Sequence, residues 1–267
     1  MKSILKIGRY FEVNNKGYIE NFCHLSLIPK KWIVLVNELM DLYTKSVSDI
    51  HSIYIRGSVA RGRPIDGSSD IDMVVILNNR SYLTDTNLDM ENKEFVKVLI
   101  NKYPFCTKID TTLEYDPFDL DIETMFLLKT QSICLYGDNC IPKLQEFKLQ
   151  DVLRIYYPIL SKELPAFLEA ACRTFLTQAE LRELTRKSMK RLIRVAGIIS
   201  FQNENRYTPD LYLCYSSFQK RYPQFKNDIK KALEIAVFQN ATQAELEYLY
   251  NHLGKWILSH MSYLTGV

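Results

Sequence analysis

The sequence predicts an α+β protein: strands alternate with helices in the first half, and helices alone fill the second. Three observations predict it. A short β-branched and aromatic run at 53–55 and a second, mainly apolar strand pattern at 71–77 flank a stretch rich in Gly, Pro, Asp and Ser, as expected of two strands joined through a turn. Residues 107–115 alternate apolar with polar side chains, the period of a half-buried strand. Between 150 and 250 there is one glycine, Gly197, and the sequences Thr177-x-x-Glu180 and Thr242-x-x-Glu245 read as capping boxes that start helices.

The elements follow in order. Tyr10-Phe11-Glu12-Val13 and Tyr18-Ile19 flank Asn14-Asn15-Lys16-Gly17, a turn sequence, so residues 8–20 read as a hairpin. Pro29 opens a helix reaching about Val47, with Trp32, Ile33, Val36, Leu39, Met40 and Tyr43 on one face. Strands at 52–56 and 71–77 bracket the turn. A helix over 91–102 leads to the strand at 107–115, and a helix over 121–130 leads to the segment 132–138. From about 145 the pattern is a bundle of about five helices, with Thr208-Pro209 as a third helix start, Pro in the first helical position. The expected domains are 1–145, including the hairpin, and 146–267.

Composition narrows the class. A chain of 267 residues, 47% hydrophobic and 24% charged, can bury one large core or two modest ones. No apolar run approaches the roughly 18 residues of a membrane span, and the start Met-Lys-Ser-Ile-Leu-Lys lacks a secretory core. The expectation is a cytoplasmic protein with no membrane partner. The cysteines Cys23, Cys106, Cys134, Cys140, Cys172 and Cys214 form no C-x-x-C pair and lie in or near apolar segments, which suits free buried thiols. The histidines His24, His51, His252 and His260 do not cluster with them, so zinc is not expected. Residues 1–150 hold 18 basic and 20 acidic side chains, and 151–267 hold 16 and 11. An acidic half and a basic half suit a metal-bound triphosphate. No dense basic stripe marks a dedicated nucleic-acid binder.

The chemistry concentrates at Arg56-Gly57-Ser58 and Ser69-Asp70-Ile71-Asp72. Gly57 lets the backbone turn sharply and approach a ligand. Ser58 opens a short helical segment, whose unpaired N–H groups and hydroxyl suit phosphate oxygens. Asp70 and Asp72, two apart at the head of a strand, share a face. Such carboxylates repel unless a cation lies between them, and hard ions, above all Mg²⁺, prefer oxygen ligands. Ile71 and Met73 then face the core.

Gly-Ser, then about ten residues, then Asp-x-Asp resembles the signature of the DNA polymerase β-type nucleotidyltransferase superfamily. The match covers roughly 50–76, with a looser one to about 140 that includes the Leu-Tyr-Gly-Asp end at 135–138. The resemblance implies a mixed sheet flanked by helices and transfer of a nucleoside monophosphate from a nucleoside triphosphate, ATP by default, with two Mg²⁺ ions. It also implies a third acid on a neighbouring strand, close to the attacking hydroxyl. Asp110 and Glu114 lie on one face of the 107–115 strand. Asp110 is preferred because Ile-Asp-Thr-Thr-Leu resembles the strand carrying this acid in antibiotic adenylyltransferases. Asp116, Asp119, Asp121 and Glu123 read as a loop and helix start, although with Glu114 the three aspartates could also line an acidic acceptor cleft.

The expected nucleotide-binding set is Gly57, Ser58, Arg61, Ser69, Lys187, Lys190 and Tyr207. Arg61 and Arg63 follow the turn and could meet phosphates or the acceptor. Lys187, Lys190, Arg191 and Arg194 form one stripe on a helix starting near 178. That stripe either meets something acidic or is a solvated face. The superfamily often supplies a lysine from its helical domain, and Lys187 and Lys190 both qualify. Tyr207 follows the polar loop 202–205 and either stacks on a nucleobase or packs. The implied acceptor is a small molecule such as an antibiotic; the alternatives are transfer to an RNA end or a protein, and synthesis of an oligonucleotide messenger.

Overall fold

The computed structural model describes residues 4–47, 49–78, 86–173, 176–202 and 204–266, with 86–93 described by backbone alone. Residues 1–3 of the expected leaderless start and Asn203 of the polar loop lie outside them. The chain forms two compact units: Asn21–Glu146, and the segment up to Glu20 together with Phe147 onward.

The first unit holds a four-stranded sheet. Its elements are α1 (Lys30–Ser46), β1 (Ile50–Arg56), α2 (Gly57–Ala60), β2 (Ile71–Leu77), α3 (Thr86–Lys102), β3 (Ile109–Tyr115), α4 (Ile122–Gln131) and β4 (Ser132–Gly137). The strand order is β3-β2-β1-β4. β1 runs antiparallel to β2 and to β4, and β2 runs parallel to β3, so the sheet is mixed. Pro29 caps α1, which buries Trp32, Leu35, Val36, Leu39 and Tyr43 at helical spacing. The expected Ile33 and Met40 are only partly buried at its flanks.

Both faces of the central strands are covered, which is why they read as continuous apolar runs. Ile53, Ile55, Met73 and Val75 face α1, where the Tyr43 and Thr111 hydroxyls meet at 2.6 Å. Tyr54, Val74 and Ile76 face Leu120, Leu128 and Leu144. This second face, at the Arg56 end of β1, carries the polar residues described below.

The second unit holds α5 (Leu149–Ala171), α6 (Gln178–Phe201), α7 (Leu211–Arg221), α8 (Lys226–Phe238), α9 (Gln243–Leu249) and α10 (Lys255–Thr265). The last two run into each other through a π-helical segment, Tyr250–Gly254. Both capping boxes form. The Glu180 carboxylate accepts the Thr177 N–H at 2.8 Å while the Thr177 hydroxyl accepts the Glu180 N–H at 3.2 Å, and Thr242 and Glu245 repeat the pattern.

Three expectations change. The helix expected at Thr208-Pro209 begins two residues later, with Asp210 at its cap, because the buried Thr208 hydroxyl accepts the Asp210 N–H and holds that stretch extended. Residues up to Glu20, expected with the sheet, belong with the helices. The Phe11 N–H donates to the Tyr207 carbonyl at 2.7 Å, the Ile19 N–H to that of Phe147 at 2.9 Å, and the Arg9 N–H to the Asp210 carboxylate at 2.9 Å. The hairpin itself is a single Val13–Ile19 bridge closed by a Gly17-to-Asn14 turn. Finally, Cys172 is exposed where α5 ends, whereas Cys106, Cys140 and Cys214 are buried. Among the described residues no helix is long and apolar enough to cross a membrane.

Candidate active site

The site is built where β1 gives way to α2. Arg56 ends β1 opposite Asp72 of β2. The chain then turns through Gly57, whose φ of +80° lies in the left-handed region that disfavours a side chain. A Cβ at this position would overlap the Asp72 Oδ2 atom. Glycine is therefore favoured twice here, by the torsion and by the carboxylate lying against its Cα.

Asp72 is the second residue of β2. Its neighbours Ile71 and Met73 are fully buried on the opposite face, which leaves Asp72 half-buried on the polar face. Across the parallel pairing, Asp72 is in register with Asp110 and Ile71 with Ile109. Residues in register share a face, so the two side chains leave one face of the sheet from adjacent strands whose backbones lie about 4.8 Å apart. Glu114 pairs with Ile76 instead, roughly 13 Å further along β3 at 3.3 Å per residue. Of the two acids, Asp110 is the one in register with Asp72. Burial, and then the Asp121 charge, push the Glu114 carboxyl above the usual carboxylate range. Asp70 immediately precedes β2 and is half-buried.

Two basic side chains that sequence reasoning passed over meet this pair. Arg56 Nη2 lies 3.6 Å from Asp72 Oδ1, and Lys108 Nζ lies 2.7 Å from Asp110 Oδ1. The signal was available: Arg56 shares the alternation face of Asp72 across β1, and Lys108 is two residues before Asp110 on one strand face. Among the described residues no group of three or more His, Cys, Asp or Glu side chains is placed so that it could hold a metal ion. What suits a hard divalent ion is the chemistry of the Asp72–Asp110 pair, oxygen donors in register on neighbouring strands.

The remaining expected ligands divide. The Ser58 hydroxyl, at the head of α2, donates to Ser69 Oγ at 3.2 Å, and Ser69 Oγ accepts the Ile65 N–H at 2.8 Å. Ser69 is thus a buried clasp of the connector between α2 and β2. Arg61 is buried, with Nη1 donating to Gln131 Oε1 at 3.3 Å. Its guanidinium braces α2 against the end of α4, whereas Arg63 is exposed. Asp121 caps α4 by accepting the Glu123 and Thr124 N–H groups, and Asp116 accepts the Phe118 N–H. These two acids hold local backbone.

Lys187, Lys190 and Tyr207 belong to the helical unit. Lys187 is exposed and Lys190 half-buried on α6. The rest of the basic stripe is met from inside the bundle. Arg191 Nε donates to Glu163 Oε2 of α5 at 2.8 Å, and Arg194 Nε to the Pro209 carbonyl at 3.3 Å. Tyr207 is 3% exposed, its ring 5.5 Å from that of Phe11. Base stacking by Tyr207 gives way to packing, because the ring face is already taken by the N-terminal segment.

Residues 35–125 match the family model of the nucleotidyltransferase domain. The solved structure of spectinomycin adenyltransferase AAD(9) from Enterococcus faecialis, determined with ATP and spectinomycin, is similar in fold. Its TM-score is 0.54 at 12% identity, over 85% of this chain and 99% of that one. A search of the curated proteins finds no match. The glycine turn and the Asp72–Asp110 pair both lie inside the span, residues 35–125, that is similar to the nucleotidyltransferase domain.

Proposed function

We infer that the chain transfers a nucleoside monophosphate, AMP, from ATP to a hydroxyl of a small-molecule acceptor, releasing pyrophosphate. The observation that carries the reading is the in-register pairing of Asp72 with Asp110 beside a glycine whose φ of +80° disfavours any side chain. The resemblance of fold to an adenyltransferase solved with ATP and an antibiotic supports the choice of donor and acceptor.

Asp70, Asp72 and Asp110 would hold two Mg²⁺ ions. When bound, the metal neutralises the triphosphate and lowers the pKa of the acceptor hydroxyl. The chain's own residues then have separable tasks. Gly57 and Ser58 bring main-chain N–H groups and a hydroxyl to the phosphates. Asp110, on the open edge strand, takes the acceptor proton as its oxygen bonds to the α-phosphorus and the bond to the β-phosphate oxygen breaks. Positioning and charge compensation supply most of the rate in such transfers.

The test supplies α-labelled ATP and Mg²⁺ to the protein with an aminoglycoside and aminocyclitol panel, and separately with total RNA. Label on a drug supports the reading, and label on RNA replaces the acceptor. Asp72→Asn and Asp110→Asn should each lower transfer at least about 10³-fold with an unchanged circular dichroism spectrum. Full turnover by Asp72→Asn would refute the site.

A further inference from the structure

The two cations beside the carboxylate pair have no role in the reaction just described. We propose that Arg56 and Lys108 are exchangeable counterions: they neutralise Asp72 and Asp110 in the metal-free protein, yield those oxygens to the metal, and then engage the triphosphate. This rests on the proposed nucleotidyl transfer and assigns it two positioning residues.

The geometry favours exchange over a fixed structural pair. Arg56 and Asp72 keep 26% and 21% of their side-chain surface, and Lys108 and Asp110 keep 45% and 38%. Groups this exposed exchange partners at little cost, since water takes up whatever charge is released. Arg56 at the end of β1 and Lys108 just before β3 each contact one of the carboxylates, and Arg56 directly precedes the Gly57 turn where the phosphates are proposed to lie. A guanidinium leaving Asp72 needs only a side-chain rotation to meet an anion there, and its planar fork suits phosphate oxygens. A divalent ion taking over the Asp72 and Asp110 oxygens would release two cations beside it, more positive charge than Asp70 alone offsets, so metal and triphosphate should bind cooperatively.

The experiment measures Mn²⁺ binding to the full chain by electron paramagnetic resonance, with and without ATP, and the steady-state KM for ATP. Arg56→Gln and Lys108→Gln should each tighten Mn²⁺ binding to the nucleotide-free protein about two- to fivefold, the range expected for removing one half-exposed ion pair. Each should raise KM for ATP about fivefold or more, with a smaller change in kcat. Arg56→Lys, which keeps the charge, should stay within about twofold of the parent in Mn²⁺ affinity and guards against misfolding. Wild-type protein that binds no Mn²⁺ would overturn the metal-dependent reading itself. Wild-type binding with unchanged Mn²⁺ affinity in both Gln variants overturns the counterion role alone. Tighter Mn²⁺ with unchanged KM overturns the hand-over to triphosphate.

Discussion

Replacing Gly57 with alanine separates the two reasons for a glycine at the turn. Alanine at φ +80° costs about 1–2 kcal/mol of folding free energy from backbone strain alone. At roughly 2–4 °C per kcal/mol this lowers Tm by about 2–8 °C. The second effect is local. The added methyl would overlap Asp72 Oδ2, the far end of a flexible side chain, so Asp72 rotates while the backbone stays. A catalytic carboxylate displaced by about 1 Å costs roughly 10²-fold in rate. Gly67 is the control: its φ is +67°, and a Cβ there would meet nothing within 4 Å. Gly67→Ala should lose similar Tm and keep Mn²⁺ affinity and turnover. Scanning fluorimetry, Mn²⁺ titration and label transfer on both variants decide the matter. If Gly57→Ala retains the parent's metal affinity and rate, the close approach of turn and carboxylate has no catalytic meaning.

The remaining predictions test the neighbouring conclusions. Tyr207→Leu should lower Tm and leave KM for ATP unchanged, because the ring packs on Phe11; a raised KM at unchanged Tm would restore base stacking. Thr242→Ala removes the acceptor that caps α9 and should cost about 1 kcal/mol in urea unfolding, with Thr242→Ser near parental. His260, hydrogen-bonded to the Tyr222 hydroxyl at 2.9 Å, has its pKa lowered by burial first and by Arg221 second. The fold therefore favours the neutral ring: its contribution is whole above the unfolded value of 6.5 and is lost as pH falls through the lower folded value. The fall of Tm between pH 7.5 and 5.5 should be shallower in His260→Gln, and an equal slope would remove His260 from the acid limb.

Much of this was legible in the chain. Strand β2 begins and ends where the apolar run does, and both capping boxes form, because those signals act within four residues. The turn at Gly57 and the face shared by Asp72 with its strand neighbours also follow from local geometry. Lys190 and Lys187 were placed on the right helix, yet the fate of the stripe they belong to was not legible. Arg191 found Glu163, 28 residues away on α5, and Arg194 found a carbonyl beyond the end of its helix. Tyr207 met Phe11, 196 residues earlier in the chain, and so the N-terminal segment joined the helices instead of the sheet.

Periodicity and turn chemistry, being short-range, determined from sequence alone the kinds of element, their order, and an acid pair held at a strand head behind a glycine turn. Only the tertiary structure decided that Asp110 stands beside Asp72, that Arg56 and Lys108 face them, and that Arg61 and Tyr207 are engaged in packing. Those outcomes depend on which strand pairs with which and in what register, and strand pairing is chosen by burial across the whole sheet, a quantity no local window of residues contains.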